Sequence, residues 1–262
     1  MKGLLQMSLD DIFLRKKVEN SKNAIATEVR VHYFEIYNEK FRNLLDPKVE
    51  VKIFSKGDDV IIRSPKEAIK CNTIDDVMKY FLIGKNRRIT GATNMNSQSS
   101  RSHAIFIIYY NESGGGRKVS SQFNIVDLAG SERSEKTGAT GDRLREGNNI
   151  NKSLSTLSLV IDVLVRNAEQ KKHGHKEDFV PYRNSLLTQL LSASLAGDSK
   201  TFLMAALAPS GYNYEETLST LRFAQNASKL QTKSKKKVEA VAGPSGNKQL
   251  MAEVMSLKEQ LK

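Results

Sequence analysis

Asn124–Glu132, reading Asn-Ile-Val-Asp-Leu-Ala-Gly-Ser-Glu, decides how the rest of this chain is read. Phe123–Val126 is an apolar strand that runs straight into an acid, with a glycine three residues on. A strand buried among others delivers Asp127 to the carboxyl edge of a sheet, where ligands of open α/β sheets bind. An aspartate there can hold a Mg²⁺ water, and Gly130 lets the backbone come close to a phosphate. The pattern is short and recurs by chance, so its meaning depends on what surrounds it.

One hairpin upstream, Asn96–His103 reads Asn-Ser-Gln-Ser-Ser-Arg-Ser-His. Alone it is a Ser-rich turn. Before a buried strand it also offers chemistry: Ser99 and Ser100 can give oxygens to Mg²⁺ or a water, and Arg101 can pair with a carboxylate or phosphate. Neighbouring strands would bring Arg101 and Glu132 together at one sheet edge.

The surrounding chain supplies strands and helices in alternation. Gly3–Phe13 has helical apolar spacing without a capping residue ahead of it, and reads as the tail of a helix. Glu28–Tyr37 is a β-branched and aromatic strand, followed by an expected short helical turn over Asn38–Leu45. Val51–Phe54 and Val60–Arg63 read as a surface hairpin. Thr73 and Asp76 make a capping box for a helix whose apolar face is Ile74, Val77, Met78, Phe81 and Leu82, running out in Lys85–Arg88. His103–Tyr110 is apolar on both faces, as a central strand is, and Lys118–Val126 returns beside it. A polar loop is expected over Ser131–Gly147, then a strong helix over Asn148–Val165, a basic loop over Arg166–Asp178 and a second helix over Ser185–Leu195. Thr201–Leu207 is a continuous apolar run, expected as a buried strand. Glu215–Leu230 closes the compact part. Beyond it, Gln231–Val238 is basic, Gly243–Gly246 is a linker, and Leu250, Val254, Leu257 and Leu261 begin a coiled-coil seam or a lone amphipathic helix.

Composition bounds the partners. The 262 residues carry 41 Lys and Arg against 29 Asp and Glu, a net +12, which points to an acidic polymer or surface. Nucleic acid is disfavoured because no stacking aromatics are interleaved with the basic runs. No apolar run is long enough to span a membrane, no signal-peptide pattern opens the chain, and the single Cys71 forbids an intrachain disulfide. A soluble, cytoplasmic protein is the expectation. Cys71, with no evident base, is expected inert, and His173 and His175 lack the spacing of a zinc site. His103 reads as a packed or hydrogen-bonded strand residue rather than a base.

Together these segments resemble a kinesin motor domain. Asn96–His103 is similar to the family's first switch and Asp127–Glu132 to its second. Asn149–Leu154 (NINKSL), Val180–Leu187 (VPYRNSLL) and Glu216–Ala224 (ETLSTLRFA) follow its later signatures in order. The loop before Val180 and the Asn247–Leu261 helix look most like the cargo-transport class often called the third kinesin family. The resemblance implies an α/β, three-layer fold of the P-loop NTPase type, with a central mixed β-sheet flanked by helices. It implies a partial motor domain over 1–230, a neck-linker-like segment over 231–246 and a neck helix from 247 to 262, with homodimerisation through that helix.

It also implies roles. Ser100 would coordinate Mg²⁺, and Ser99 and Asn96 would shape the γ-phosphate pocket of ATP. Arg101 and Glu132 would form the closing salt bridge. Asp127 would hold Mg²⁺ through water, the Gly130 amide would sense the γ-phosphate, and Arg88 would stand near the same pocket. Lys152, Lys171, Lys172, Lys176 and Arg183 would face the microtubule. Asn184 stands where the family usually has Asp, able still to cap its helix, and Gln189 where many members have a basic residue, weakening the track contact.

One departure outweighs these. No Gly-x-x-x-x-Gly-Lys-[Ser/Thr] occurs in the chain. That loop supplies the amide cradle, the phosphate lysine and the Mg²⁺ hydroxyl. Gly3–Phe13 resembles the family segment just after it, so the chain is expected to lack the start of the domain, with an open sheet edge and a tendency to aggregate. Two functions follow: a microtubule motor coupled to ATP hydrolysis, or a non-catalytic microtubule binder.

Overall fold

The computed structural model describes residues 3–21, 25–56, 59–63, 67–90, 101–114, 116–130, 142–195, 199–230 and 238–240. Its spine is three long strands. β1 (Ala26–Tyr37) and β6 (His103–Gly114) pair antiparallel from Ala26↔Ser113 to Ile36↔His103. β7 (Arg117–Asp127) lies on the other side of β6 and places Asp127 opposite Ala104. Side chains alternate between faces, and both faces are covered. Val29, Val31, Tyr33, Phe106 and Ile108 pack on one side beneath α1 (Leu4–Ser21) and α2 (Ile74–Thr90). Phe34, Ile36, Ile105 and Ile107 pack on the other beneath α3 (Asp142–Lys172) and α4 (Leu186–Leu195), with α5 (Tyr214–Ala227) against α3. Burial on both faces is why β1 and β6 read as nearly unbroken apolar runs. The three-layer α/β architecture is the expected one. The sheet differs in one respect: every described strand pair is antiparallel, not mixed.

β2 (Lys40–Asn43) and β5 (Ile69–Cys71) each pair with β1, at its two ends. The helical turn expected over Asn38–Leu45 is instead a tight hairpin. Tyr37 and Lys40 are paired, leaving the two-residue loop Asn38–Glu39 with φ of 52° and 53°. Two left-handed residues match the twist of the flanking strands and reverse the chain at once. The expected surface hairpin forms as β3 (Lys52–Lys56) and β4 (Asp59–Arg63).

Helix ends follow local chemistry. Thr73 Oγ1 accepts from Asp76 N at 3.1 Å while the Asp76 carboxylate accepts from Asn72 N and Thr73 N, the capping box read in the sequence. α2 then continues past Lys85–Arg88 to Thr90. α3 absorbs the end of one expected loop (Asp142–Gly147) and the start of another (Arg166–Lys172), because both carry good helix formers. It stops at Gly174 (φ +71°), where His175 N reaches back to Gln170 O at 3.0 Å.

The Thr201–Leu207 run overturns its reading. Residues 201–209 form no strand, and Phe202 and Met204 are 77% and 79% exposed. A buried strand needs a neighbour for its backbone, and this run has no strand partner among the described residues. Among the described residues, Arg117–Val119 alone of β7 gain an outer neighbour, from β8 (Val238–Ala240), which falls within the segment read as a linker. The Leu250–Leu261 seam and Lys233–Lys237 lie outside the described residues.

Gly84 of α2 is buried against Tyr33, and a Cβ there would run into the Tyr33 ring. That ring cannot step aside, being stacked on Phe81 at 5.6 Å and edge-on to Phe106 at 5.2 Å. Overpacking of this kind costs about 1–3 kcal/mol, against about 1 kcal/mol regained in helix propensity. Gly84→Ala is therefore expected to lower the thermal midpoint despite favouring helix; a higher midpoint in calorimetry would contradict it. The open β7 edge and the exposed apolar run are also expected to drive concentration-dependent self-association. Sedimentation velocity should show this, and Phe202→Ser with Met204→Ser should reduce it. A wild-type chain monomeric at all concentrations would refute the assignment.

Candidate functional site

The turn Asp127–Gly130 leaves the end of β7 and is held from both faces of the sheet. On the α1–α2 face the holder is Arg88, in the last turn of α2. Its Nη1 donates to Asp127 Oδ2 at 2.7 Å, its Nε to Ser102 Oγ at 3.2 Å, and its Nη2 to the Ser102 carbonyl at 2.8 Å. Arg88 is 7% exposed, whereas the Asp127 side chain is 72% exposed. The cation is thus desolvated and fixed, while its carboxylate partner reaches solvent. Screening at Asp127 keeps the pair weaker than a fully buried one, yet removing the carboxylate would take a charged partner from a buried guanidinium. Next to Arg88, Arg87 donates to the Leu44 carbonyl at 2.9 Å and to that of Leu45, tying the same helix end to the chain after β2.

On the α3 face the holder is His103, the first residue of β6 and 2% exposed. Its Nδ1 accepts from Ala129 N at 2.9 Å, and its Nε2 stands 2.7 Å from Ser153 Oγ on α3. Burial, with Arg88 adding its positive charge, depresses the His103 pKa from 6.5 to about 4, Asp127 opposing. His103 is the hydrogen-bonded strand residue that the sequence reading expected. Its partners Ala129 and Ser153 were not foreseen, although both sit inside the motifs quoted.

The other end of α3 is basic. Lys171, Lys172 and Lys176 are exposed, as is Arg183 in the 3-10 turn Tyr182–Asn184. Lys171 is partly neutralised by Glu177 at 3.1 Å. The loop is fastened to the helix: Asn167 Nδ2 donates to the Asp178 carbonyl and Asp178 N donates back to Asn167 Oδ1, both at 2.8 Å, and Arg166 pairs with Asp178 at 3.1 Å. Lys152 is exposed but stands 20 residues before Lys172, roughly 30 Å along the helix, so it is not part of this cluster. The cap expected of Asn184 is made by Ser185, whose Oγ accepts from Leu187 N at 3.2 Å. Glu39, from the β1–β2 hairpin, accepts from Ser185 Oγ at 2.9 Å and from Leu186 N at 2.8 Å. No local sequence signal marks Glu39, because its partners lie far along the chain.

Asn96, Ser99, Ser100 and Glu132 lie outside the described residues, as does any pairing of Glu132 with Arg101. Arg101 is half-buried beside Ser102. For Mg²⁺ and ATP the described donors do not suffice. One Asp127 oxygen is committed to Arg88, whose charge opposes a cation there, and no group of three His, Cys, Asp or Glu among the described residues could hold a metal. The rings of His173 and His175 lie 6.3 Å apart, without a third ligand among those residues. Burial pushes the Cys71 thiol up to about 12, in keeping with an inert cysteine. Among the described residues no helix is long and apolar enough to cross a membrane.

The His103 shift sets a pH dependence. Its folded pKa lies below the unfolded value, so on acidification the unfolded chain takes up the proton first. The residue costs nothing above about pH 6.5, and stability falls progressively from there to about pH 4. The full loss is of order 3 kcal/mol. Urea unfolding at pH 7 and pH 4 should show a larger acid loss for wild type than for His103→Asn; equal losses would contradict the buried neutral ring.

Comparison with known proteins accounts for this arrangement. A family profile described as the kinesin motor domain matches residues 1–230. The chain is 41% identical to human kinesin-like protein KIF13B over 99% of its own length and 14% of KIF13B's. It is 40% identical to kinesin-related protein 1 of Dictyostelium discoideum, covering all of itself and 12% of that protein. Among solved structures it superposes on a fast kinesin with a TM-score of 0.79 at 38% identity, covering 93% of this chain and 67% of that one. KIF14 in a dimeric AMP-PNP state in complex with a microtubule gives 0.77 at 33% identity, covering 89% and 66%. The chain spans about one-seventh of the human relative's length, and it belongs to the kinesin motor domain family.

Proposed function

We propose that this chain is the switch-and-track part of a microtubule-based motor, acting on the cytoskeleton. The observation that carries the reading is one helix with two functional ends. α3 meets the Asp127–Gly130 turn through Ser153 and His103, and carries Lys171 and Lys172 at its basic end, where the stapled loop presents Lys176 and 3-10 turn presents Arg183. Microtubule surfaces are acidic, and a fixed cluster of exposed cations suits them better than a flexible one, because less side-chain and loop entropy is lost on docking.

In this reading ATP with Mg²⁺ is the nucleotide, and Asp127, Gly130, Arg88, Asn96, Ser99, Ser100, Arg101 and Glu132 form the responsive edge of its site. These residues orient and report; the phosphate cradle is not among the 262. Preorganised amides and the phosphate lysine supply most of the charge stabilisation in phosphoryl transfer. We therefore expect no ATP hydrolysis above background from these residues by themselves. Residues 1–230 act as the motor part, 231–246 as a linker and 247–262 as the start of a helix able to pair two chains.

Microtubule co-sedimentation tests the reading. Binding should fall steeply with added salt. Charge reversal at Lys172, Lys176 and Arg183 should weaken it at least tenfold. Reversal at Lys171 alone should do less, since Glu177 already offsets that charge. Salt-independent binding, or full affinity in the triple variant, would reject the track face. ATP-sensitive release by the 262 residues would reject the expectation that they lack a working nucleotide site.

A further inference from the structure

The Asp127–Gly130 turn and α3 are bridged by a buried side chain. The His103 ring lies between them. A backbone amide can only donate, so Nδ1 must carry no proton to accept from Ala129 N at 2.9 Å. In the neutral ring the proton then sits on Nε2, which donates to Ser153 Oγ at 2.7 Å. His103, Ser153 and Ala129 are all buried, so neither bond is readily replaced by water.

The backbone of His103 is itself anchored. It is paired with Ile36 of β1 and leads directly into the β6–β7 ladder at Ala104↔Asp127. The ring can therefore pivot about its side-chain bonds but cannot translate with the turn. Its two nitrogens are rigidly linked, so a shift of Ala129 either breaks the first bond or swings Nε2 away from Ser153. Arg88 prevents the turn from escaping toward the opposite face, because it holds Asp127 there at 2.7 Å.

We infer that His103 is a positioning residue, a two-armed latch that couples the Ala129–Gly130 turn to α3. Its purpose rests on the motor reading above; its mechanics rest only on His103, Ala129 and Ser153. A displacement of Gly130, one residue from Ala129, is felt at Ser153 through the ring, and the state of α3 is felt at Gly130 by the same route.

Hydrogen exchange at the Ala129 amide tests the latch in the 262-residue chain, at a concentration where it is monomeric. Ser153→Ala leaves His103 in place yet should accelerate exchange at Ala129 at least tenfold, while Leu187–Leu191 in α4 stay as in wild type. Ser153→Thr, which keeps the hydroxyl, should restore slow exchange. His103→Asn offers a carbonyl near the position of Nδ1 but cannot reach Ser153, and should resemble Ser153→Ala. In wild type, ¹⁵N spectra of the ring should show Nδ1 unprotonated and Nε2 protonated. Exchange at Ala129 within twofold of wild type in Ser153→Ala would overturn the latch, as would the opposite tautomer or equal acceleration throughout α4. Co-sedimentation of the same proteins separates the two claims. Absence of microtubule binding by wild type would reject the motor reading, whereas the exchange result decides the latch either way.

Discussion

The structure depends on how four residues, Asp127–Gly130, are kept at the end of β7. A strand end is normally free to fray, since its last groups lose their ladder partners. Here it is gripped from both faces of the sheet, by Arg88 through Asp127 and by His103 through Ala129. The two grips differ in kind. Arg88 contributes a charge that burial makes costly to leave unpaired, whereas His103 contributes a neutral ring whose two bonds require one tautomer. Both holders also contact something else: Arg88 the Ser102 carbonyl and hydroxyl, His103 the α3 hydroxyl of Ser153. The turn is consequently tied to the chain leading into β6, to α2 and to α3 at once.

That convergence requires the three layers. His103 reaches α3 because odd-numbered residues at the start of β6 face the α3–α4 layer, with Ile105 and Ile107. Asp127 reaches Arg88 because the register Ala104↔Asp127 puts it on the face of Phe106 and Ile125, beneath α2. A slip of one residue in the β6–β7 register would exchange the faces and remove both grips together. The hairpin that sets this register is therefore as much a part of the site as the residues that line it.

What was legible in the sequence was local or periodic. The Thr73–Asp76 capping box involves residues three apart, and it forms as read. The faces of β1 and β6 follow from alternation and double-sided burial. What was not legible needed a partner distant in the chain or an unusual backbone conformation. Asn38–Glu39 was read as helical because Glu favours helix and gives no sign of a left-handed φ. Thr201–Leu207 was read as a buried strand because apolarity signals a wish for burial, not the presence of a neighbour to provide it. Glu39 capping α4 and Glu177 offsetting Lys171 are invisible to any window. At the site, residue types and spacing pointed to Asp127 and Gly130, and the family resemblance added Arg88, but neither showed that Arg88 occupies one oxygen of the very carboxylate assigned to Mg²⁺.

The basic end of α3 gains its meaning from stiffness. The helix has 31 residues, about 46 Å at 1.5 Å per residue. Leu157, Val160, Ile161 and Val165 pack along its middle against a core that includes Leu187 and Leu191 of α4, so bending it would open voids in a close-packed layer. Beyond that core, Asn167 and Arg166 fix the loop to the last turns of the helix, so the loop moves with it. A displacement introduced near Ser153 is then more cheaply accommodated by moving the helix as a body than by deforming it. The cations at its far end would move with it. Charge alone gives affinity for an acidic lattice; under the proposed reading, charge on a rigid helix latched at Ser153 to a strand-end turn would make that affinity depend on the state of the turn.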